Sequence, residues 1–398
     1  MKRIVLLFSA AIMISVASAA EPTASPSPES RVKITGFFDT GITVNPSAPQ
    51  DNQNFGRLFD DRSNEFVMNQ AVITAERALN PKVGLDWGFK LQLLFGTDAR
   101  YIHSLGLLDH ARRGSLYHPD IPEAYLSLYF PIFTEGGVDL KLGKFVTLEG
   151  AETIDPRTNP FYSHTYIFNF AIPFNHTGAL FTLYATKWLN LVAGVTRGVN
   201  TSIDDNNDAP AFHGGIGLHL NEEKFVVSAA THIGPETPHN EDDLRYLNTI
   251  TTTWKVTDKI TSITDLNYTY DEPADAKAYG VAQYLIYTIN DKVTAKIRGE
   301  IWRDAKGFYA AQFADPHDPI RGLAGESTID PRTVGGGRTT YGALTIGLDI
   351  KPPVPKPLAG LTIRPELRFD RALNGTHPFN DSNDRDQFTA ALDVIVTF

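Results

Sequence analysis

The sequence predicts an all-β chain: a transmembrane antiparallel up-and-down β-barrel of about 16 strands, with short turns at one end and long loops at the other. Three features point there. Apolar and polar residues alternate in segment after segment, and tight turn signals alternate with long polar connections. Nothing beyond the N-terminus is apolar for long enough to make a membrane helix.

The N-terminus reads as an export signal. Met1-Lys2-Arg3 is a short basic start, Ile4 to Val16 is apolar, and Ala17-Ser18-Ala19 offers a small-residue cleavage site. A secretory signal peptide is therefore expected over residues 1–20, its apolar run being too short for a membrane span. Residues 21–30, EPTASPSPES, read as a flexible lead-in, which leaves 31–398 for a single barrel domain. With no cysteine in the chain, a lipid-modified N-terminus and any disulfide framework are excluded.

The strands come next. In 260–270, Ile260, Leu266, Tyr268 and Tyr270 face one way, with Asp265 and Asn267 on the other. In 292–302, Val293, Ala295, Ile297 and Ile301 oppose Lys292, Lys296, Arg298 and Glu300. In 361–370, Leu361, Ile363, Leu367 and Phe369 oppose Thr362, Arg364, Glu366, Arg368 and Asp370. The final strand carries Phe388, Ala390, Leu392, Val394, Val396 and Phe398 on one face. Successive side chains of a strand point to opposite faces, so each segment has an oily side and a wet one. A soluble sandwich alternates as well, but it has no need to gather charge on one side of successive strands; a water-filled lumen does. The strand read over 137–151 is less regular, because Lys144 falls in the apolar register. A bulge or a snorkelling side chain accommodates it.

Turn formers mark the short connections at Asn80-Pro81, Glu135-Gly136-Gly137, Trp188-Leu189-Asn190, Asn221 to Lys224, Thr257-Asp258-Lys259 and Asn290-Asp291-Lys292. Between them lie longer polar stretches, roughly 46–62, 101–119, 152–173, 201–209, 234–244, 271–277, 305–338 and 373–386. Such alternation is the pattern of periplasmic turns and extracellular loops, with both termini on the periplasmic side. A formal charge of -10 with no basic cluster argues against nucleic acid as a partner. Hydrophobic content of 42% suits strands that are half wet, and 15 Tyr, 24 Phe and 4 Trp can supply interfacial girdles.

A terminal strand that ends on phenylalanine resembles the C-terminal signal of bacterial outer-membrane barrels. Phe398 is thus the expected assembly signal, and the barrel-assembly machinery an expected partner. The pieces GKFVTLEGAE, NPFYSHTYIFNFAIPF and NHTG, between Lys141 and Gly178, resemble the OmpL-like β-barrel porin-2 family. That resemblance runs over essentially the whole mature chain, and this central stretch is its specific motif. It implies a barrel in the bacterial outer membrane, among lipid and lipopolysaccharide, that admits small hydrophilic solutes by passive diffusion without a cofactor. No substrate follows from it. Analogy with sixteen-stranded porins would add a homotrimer.

The third long loop, 152–173, carries the candidate chemistry. By analogy with general diffusion porins it folds inward and narrows the pore, and the aromatic run Phe161 to Phe170 then finds somewhere apolar to pack. Otherwise it lies outside with its charges solvated. The inward reading makes Glu149, Glu152, Asp155 and Arg157 the acidic and basic groups of a constriction, facing Lys296, Arg298, Arg364 and Arg368 on the wall. Rings of opposed charge of this kind sort solutes by sign.

Other patterns carry less. The hexamer TIDPRT occurs at Thr153–Thr158 and again at Thr328–Thr333. Asp-Pro-Arg favours a turn, and matching turns across the mouth or chance duplication explain the repeat equally well. The run Asp204 to Asp208 lacks the spacing of a calcium loop. Eleven histidines show no tight metal spacing, His164 and His176 being expected to pack or hydrogen-bond, and no metal is expected. There is no GxSxG, phosphate loop or GxGxxG, so an enzyme is not expected. Two other functions stay open: a substrate-specific channel for sugars or carboxylates with an aromatic slide of Phe161, Tyr162, Tyr166 and Phe168, and a non-transport barrel acting as adhesin or anchor.

Overall fold

A computed structural model describes residues 32–109, 115–313, 324 and 337–398 of the protein. The expected signal peptide and lead-in and the second TIDPRT lie outside them. Sixteen strands form one closed barrel in which each strand pairs antiparallel with its sequence neighbours. They are β1 (Lys33–Val44), β2 (Phe66–Arg77), β3 (Asp86–Gly96), β4 (His118–Phe130), β5 (Val138–Val146), β6 (Asn175–Tyr184), β7 (Leu189–Thr196) and β8 (Ala211–Leu220). The second half comprises β9 (Phe225–Gly234), β10 (Arg245–Lys255), β11 (Ile260–Asp271), β12 (Ala276–Asn290), β13 (Val293–Asp304), β14 (Thr339–Ile350), β15 (Gly360–Ala372) and β16 (Asp386–Thr397).

Closure is made by β1 against β16, in register from Phe37↔Thr397 to Val44↔Ala390. Phe398 completes the seam: its N–H donates to the Gly36 carbonyl and its carbonyl accepts from the Gly36 N–H, both at 3.0 Å. A closed ladder satisfies every backbone group without an edge, which is the condition for crossing hydrocarbon with strands.

The two faces divide as the alternation requires. Ile297, Ile301, Leu367, Phe369, Phe388 and Leu392 are large, apolar and exposed on the outside. A surface like that belongs in lipid rather than water. Trp87, Trp188 and Trp254 are exposed and all sit beside short turns, as a periplasmic girdle would. The fourth tryptophan, Trp302, is buried inside the barrel.

One expected strand is shorter than its sequence pattern. The segment read as 137–151 is strand only to Val146, and residues 147–174 form a loop, L3, that enters the lumen. Lys144 is not in lipid. Gly143, with φ of 128°, breaks the extended geometry just before it, and Lys144 is buried with its ammonium 3.6 Å from Asp120.

Candidate pore constriction

L3 begins at the top of β5 and crosses to the opposite wall. Its contents are a single 3-10 turn at Pro156–Thr158 and a short helix, α1, at Tyr166–Phe170. Asp155 starts the 3-10 turn by accepting from the Arg157 N–H, as expected of Asp before Pro. Thr165 caps α1, its hydroxyl oxygen accepting from the Phe168 N–H at 3.1 Å.

Wall charges seize this irregular backbone. Glu300 on β13 accepts from the Tyr166 and Ile167 N–H groups at 3.0 and 3.1 Å, where the first turn of α1 leaves donors unpaired. Glu366 on β15 accepts from the Tyr162 and Ser163 N–H groups at 2.9 and 3.2 Å. In the other direction, Arg298 donates to the Ser163 carbonyl and hydroxyl. Arg364 donates to the Pro156 and Asn159 carbonyls, Arg368 to that of His164, and Lys296 to that of Pro160. Each of these carbonyl and N–H groups of the loop thereby keeps a partner that water would otherwise supply.

Glu152 is the hub. Its carboxylate accepts from Arg298 at 2.8 Å, from the Tyr284 hydroxyl at 2.9 Å, and from the Thr165 N–H at 2.9 Å, with His164 Nδ1 at 3.2 Å. Burial works to raise its pKa, but Arg298 and His164 beside it prevail and hold it down to about 2. Glu149 is the opposite case. Neither of its oxygens has a hydrogen-bond partner, and burial, with Asp265 nearby, pushes its carboxyl well above the ordinary range.

The expected acid-against-base pairing across the lumen is therefore present for Glu152 and Arg298. The wall cations do not, however, face open water. Arg298, Arg364 and Arg368 are 1%, 3% and 1% exposed, and Lys296 is buried beside Asp349. L3 lies directly on them, so their charge is spent on backbone carbonyls and on Asp393 and Asp370. Asp155 and Arg157 pair with each other on an exposed edge of the loop, the guanidinium lying over the Phe37 ring. The aromatic run packs rather than lining a path: Phe161, Tyr162, Tyr166 and Phe168 are all buried. Tyr166 stacks on Tyr341 at 4.7 Å between ring centres, and Phe168 meets Phe59 and Phe174.

The charges that keep access to the lumen stand elsewhere, on β2 to β5. Glu76 is the ladder partner of Lys90, Lys90 is ion-paired with Glu123, and Lys141 sits over the Tyr125 ring at 4.5 Å. None is fully buried except Glu123. Their alternation in sequence (Lys90 and Gln92 on β3, Asp139 and Lys141 on β5) marks them as inward-facing. What it could not show is that L3 leaves them uncovered.

The family model for beta-barrel porin-2, OmpL-like, matches residues 31–398. No curated relative matches the sequence. Among solved structures, the anion-selective porin from Comamonas acidovorans superposes with a TM-score of 0.58 at 9% identity, over 92% of this chain and 99% of that one. The Salmonella typhi OmpF complex with daunomycin gives 0.59 at 10% identity, over 93% and 98%. The outer-membrane channel DcaP of Acinetobacter baumannii gives 0.54 at 13%, over 92% and 97%. At such identities the likeness is one of fold. Together with the sixteen-strand closure and the full-length family match, it identifies the chain as a member of the OmpL-like β-barrel porin-2 family, an outer-membrane porin.

Proposed function

We propose that this porin passes small hydrophilic solutes by passive diffusion along the side of the lumen walled by β2 to β9, with L3 docked on the other side as a fixed narrowing. The observation that carries this reading is the set of buried bonds from Arg298, Arg364, Arg368, Glu300 and Glu366 to the L3 backbone. A loop held at so many points stays inside the barrel. Charge selection then falls to groups that solutes can approach: Glu76, Lys90 and Lys141 on the wall, and Asp155 and Arg157 on the loop edge. Glu152, Lys296, Arg298, Arg364 and Arg368 act as positioning residues that set how far L3 reaches. Outer-membrane lipid and lipopolysaccharide, the assembly machinery and a homotrimer complete the proposal.

Reconstitution in planar bilayers tests it. Ohmic, non-saturating conductance that scales with salt is expected, with uptake of uncharged sugars falling with size. Saturation by one sugar or carboxylate would favour a specific channel, and a barrel that conducts nothing would remove the proposal.

A further inference from the structure

Three histidines that are far apart in sequence meet on the lumen face at the root of L3. His176 lies on β6, His213 on β8, and His232 is the ladder partner of His213 on β9. All three are fully buried. Ring centres are 4.2 Å apart for His176 and His213, 4.8 Å for His176 and His232, and 5.8 Å for His213 and His232. One ring nitrogen from each lies within 4.8 Å of those of the other two. The intervening strand β7 puts Gly194 opposite His213, so no side chain stands between the rings.

We propose that His176, His213 and His232 form a binding site for a divalent transition-metal ion of the zinc class. The hydrogen bonds around the rings carry the argument. His232 Nε2 is 2.6 Å from a Glu236 oxygen, and the other Glu236 oxygen is fixed by the Val199 N–H at 2.9 Å. A carboxylate only accepts, so Nε2 carries the proton and Nδ1 keeps a lone pair, which has no hydrogen-bond partner. His176 repeats the arrangement with a backbone carbonyl: Nδ1 donates to the Gly198 oxygen at 2.9 Å, leaving the lone pair on Nε2. An outer nitrogen tied to a carboxylate or carbonyl, with the lone pair left on the other nitrogen, is how ligating histidines are oriented.

His213 supplies the third ring: its Nε2 accepts from the Leu148 N–H at 3.2 Å and so holds the lone pair, while Nδ1 carries the proton. Three neutral imidazoles with no thiolate match zinc, copper or nickel and not magnesium or calcium. Metal–nitrogen bonds of about 2.0–2.1 Å bring the nitrogens closer than they now stand, so binding draws the three rings together.

That movement reaches the constriction. The Thr147 hydroxyl contacts His176 Nε2 at 3.3 Å, and the Leu148 N–H donates to His213 Nε2 at 3.2 Å. These are the first two residues of L3. A metal that takes either nitrogen must break the bond holding the loop's base.

The test uses the full-length mature barrel without a histidine tag, folded in detergent and stripped by chelator. It is dialysed against zinc chloride with excess magnesium, and the retained metal is counted by mass spectrometry. One zinc per chain is expected. His176→Gln, His213→Gln and His232→Gln should each weaken it by more than about 100-fold, and Glu236→Gln by about 10- to 100-fold. Heat-modifiable gel migration verifies that each variant has closed its barrel. Cobalt added to the unaltered protein gives a readout that needs no variant, since four-coordinate nitrogen-ligated cobalt has its own absorption bands. Failure of the unaltered chain to retain zinc or develop the cobalt spectrum overturns the site, and so does undiminished zinc binding by the folded triple variant.

Discussion

The two sides of the lumen wall use the same residue types to opposite ends. On β13 to β16, Arg298, Arg364 and Arg368 point inward and vanish beneath L3. On β3 and β5, Lys90 and Lys141 point inward by the same alternation and stay in reach of water. Coverage by one loop separates them. Beneath it a cation becomes a structural fastener, desolvated and bonded to carbonyls, and reversing it leaves buried acids without a counter-charge. Away from it a cation is part of the field that a passing solute meets.

The largest effect should come from unfastening the covered side. Arg298→Ala strips the cation from buried Glu152, a loss of about 3–5 kcal/mol for a buried pair that loses one member. L3 should leave the wall, and single-channel conductance should rise toward that of a barrel lacking residues 152–170. An unchanged conductance would mean that L3 does not narrow the path.

Acid should do the same reversibly. The Glu152 carboxyl is held to about 2 against an ordinary 4.5. A folded value below the unfolded one contributes stability that is present above pH 4.5 and fades as pH falls toward 2. Conductance recorded through that window should climb in the native chain. In Glu152→Gln the climb should shrink, because that titrating group is gone.

Selectivity sharpens the contrast further. Lys90→Glu with Lys141→Glu should move the reversal potential toward cations while gel migration and conductance stay near their starting values. Arg298→Glu with Arg364→Glu should instead disturb L3 and assembly. If the covered pair alone shifts selectivity cleanly, the roles given to the two sides are reversed. The smallest effect is expected from Thr165→Ala, which removes the α1 cap at about 1 kcal/mol and should only raise the frequency of brief open excursions.

The sequence made the barrel legible because a period of two is a local property. Ile297 and Arg298 declare their faces whatever surrounds them, and the last strand does so up to Phe398. Even the irregular Lys144 was visible as an exception. The candidate constriction was half legible: L3 could be expected to turn inward, since Phe161 to Phe170 has no place in water. Yet Arg298 and Glu152 stand 146 residues apart, and periodicity says nothing of what lies over an inward side chain. The histidine cluster was invisible for the same reason. Short ligand spacings arise on one helix or in one loop, whereas His176, His213 and His232 are neighbours only because β6, β8 and β9 are.

The seam between β1 and β16 bears on biogenesis. Gly36 and Phe398 can meet only when every intervening residue has been synthesised and exported. Until then any growing sheet has two raw margins, each a row of unsatisfied amides that hydrocarbon cannot solvate and that a neighbouring molecule could zip onto. Closure of the ring therefore has to come last, once both margins exist to be joined.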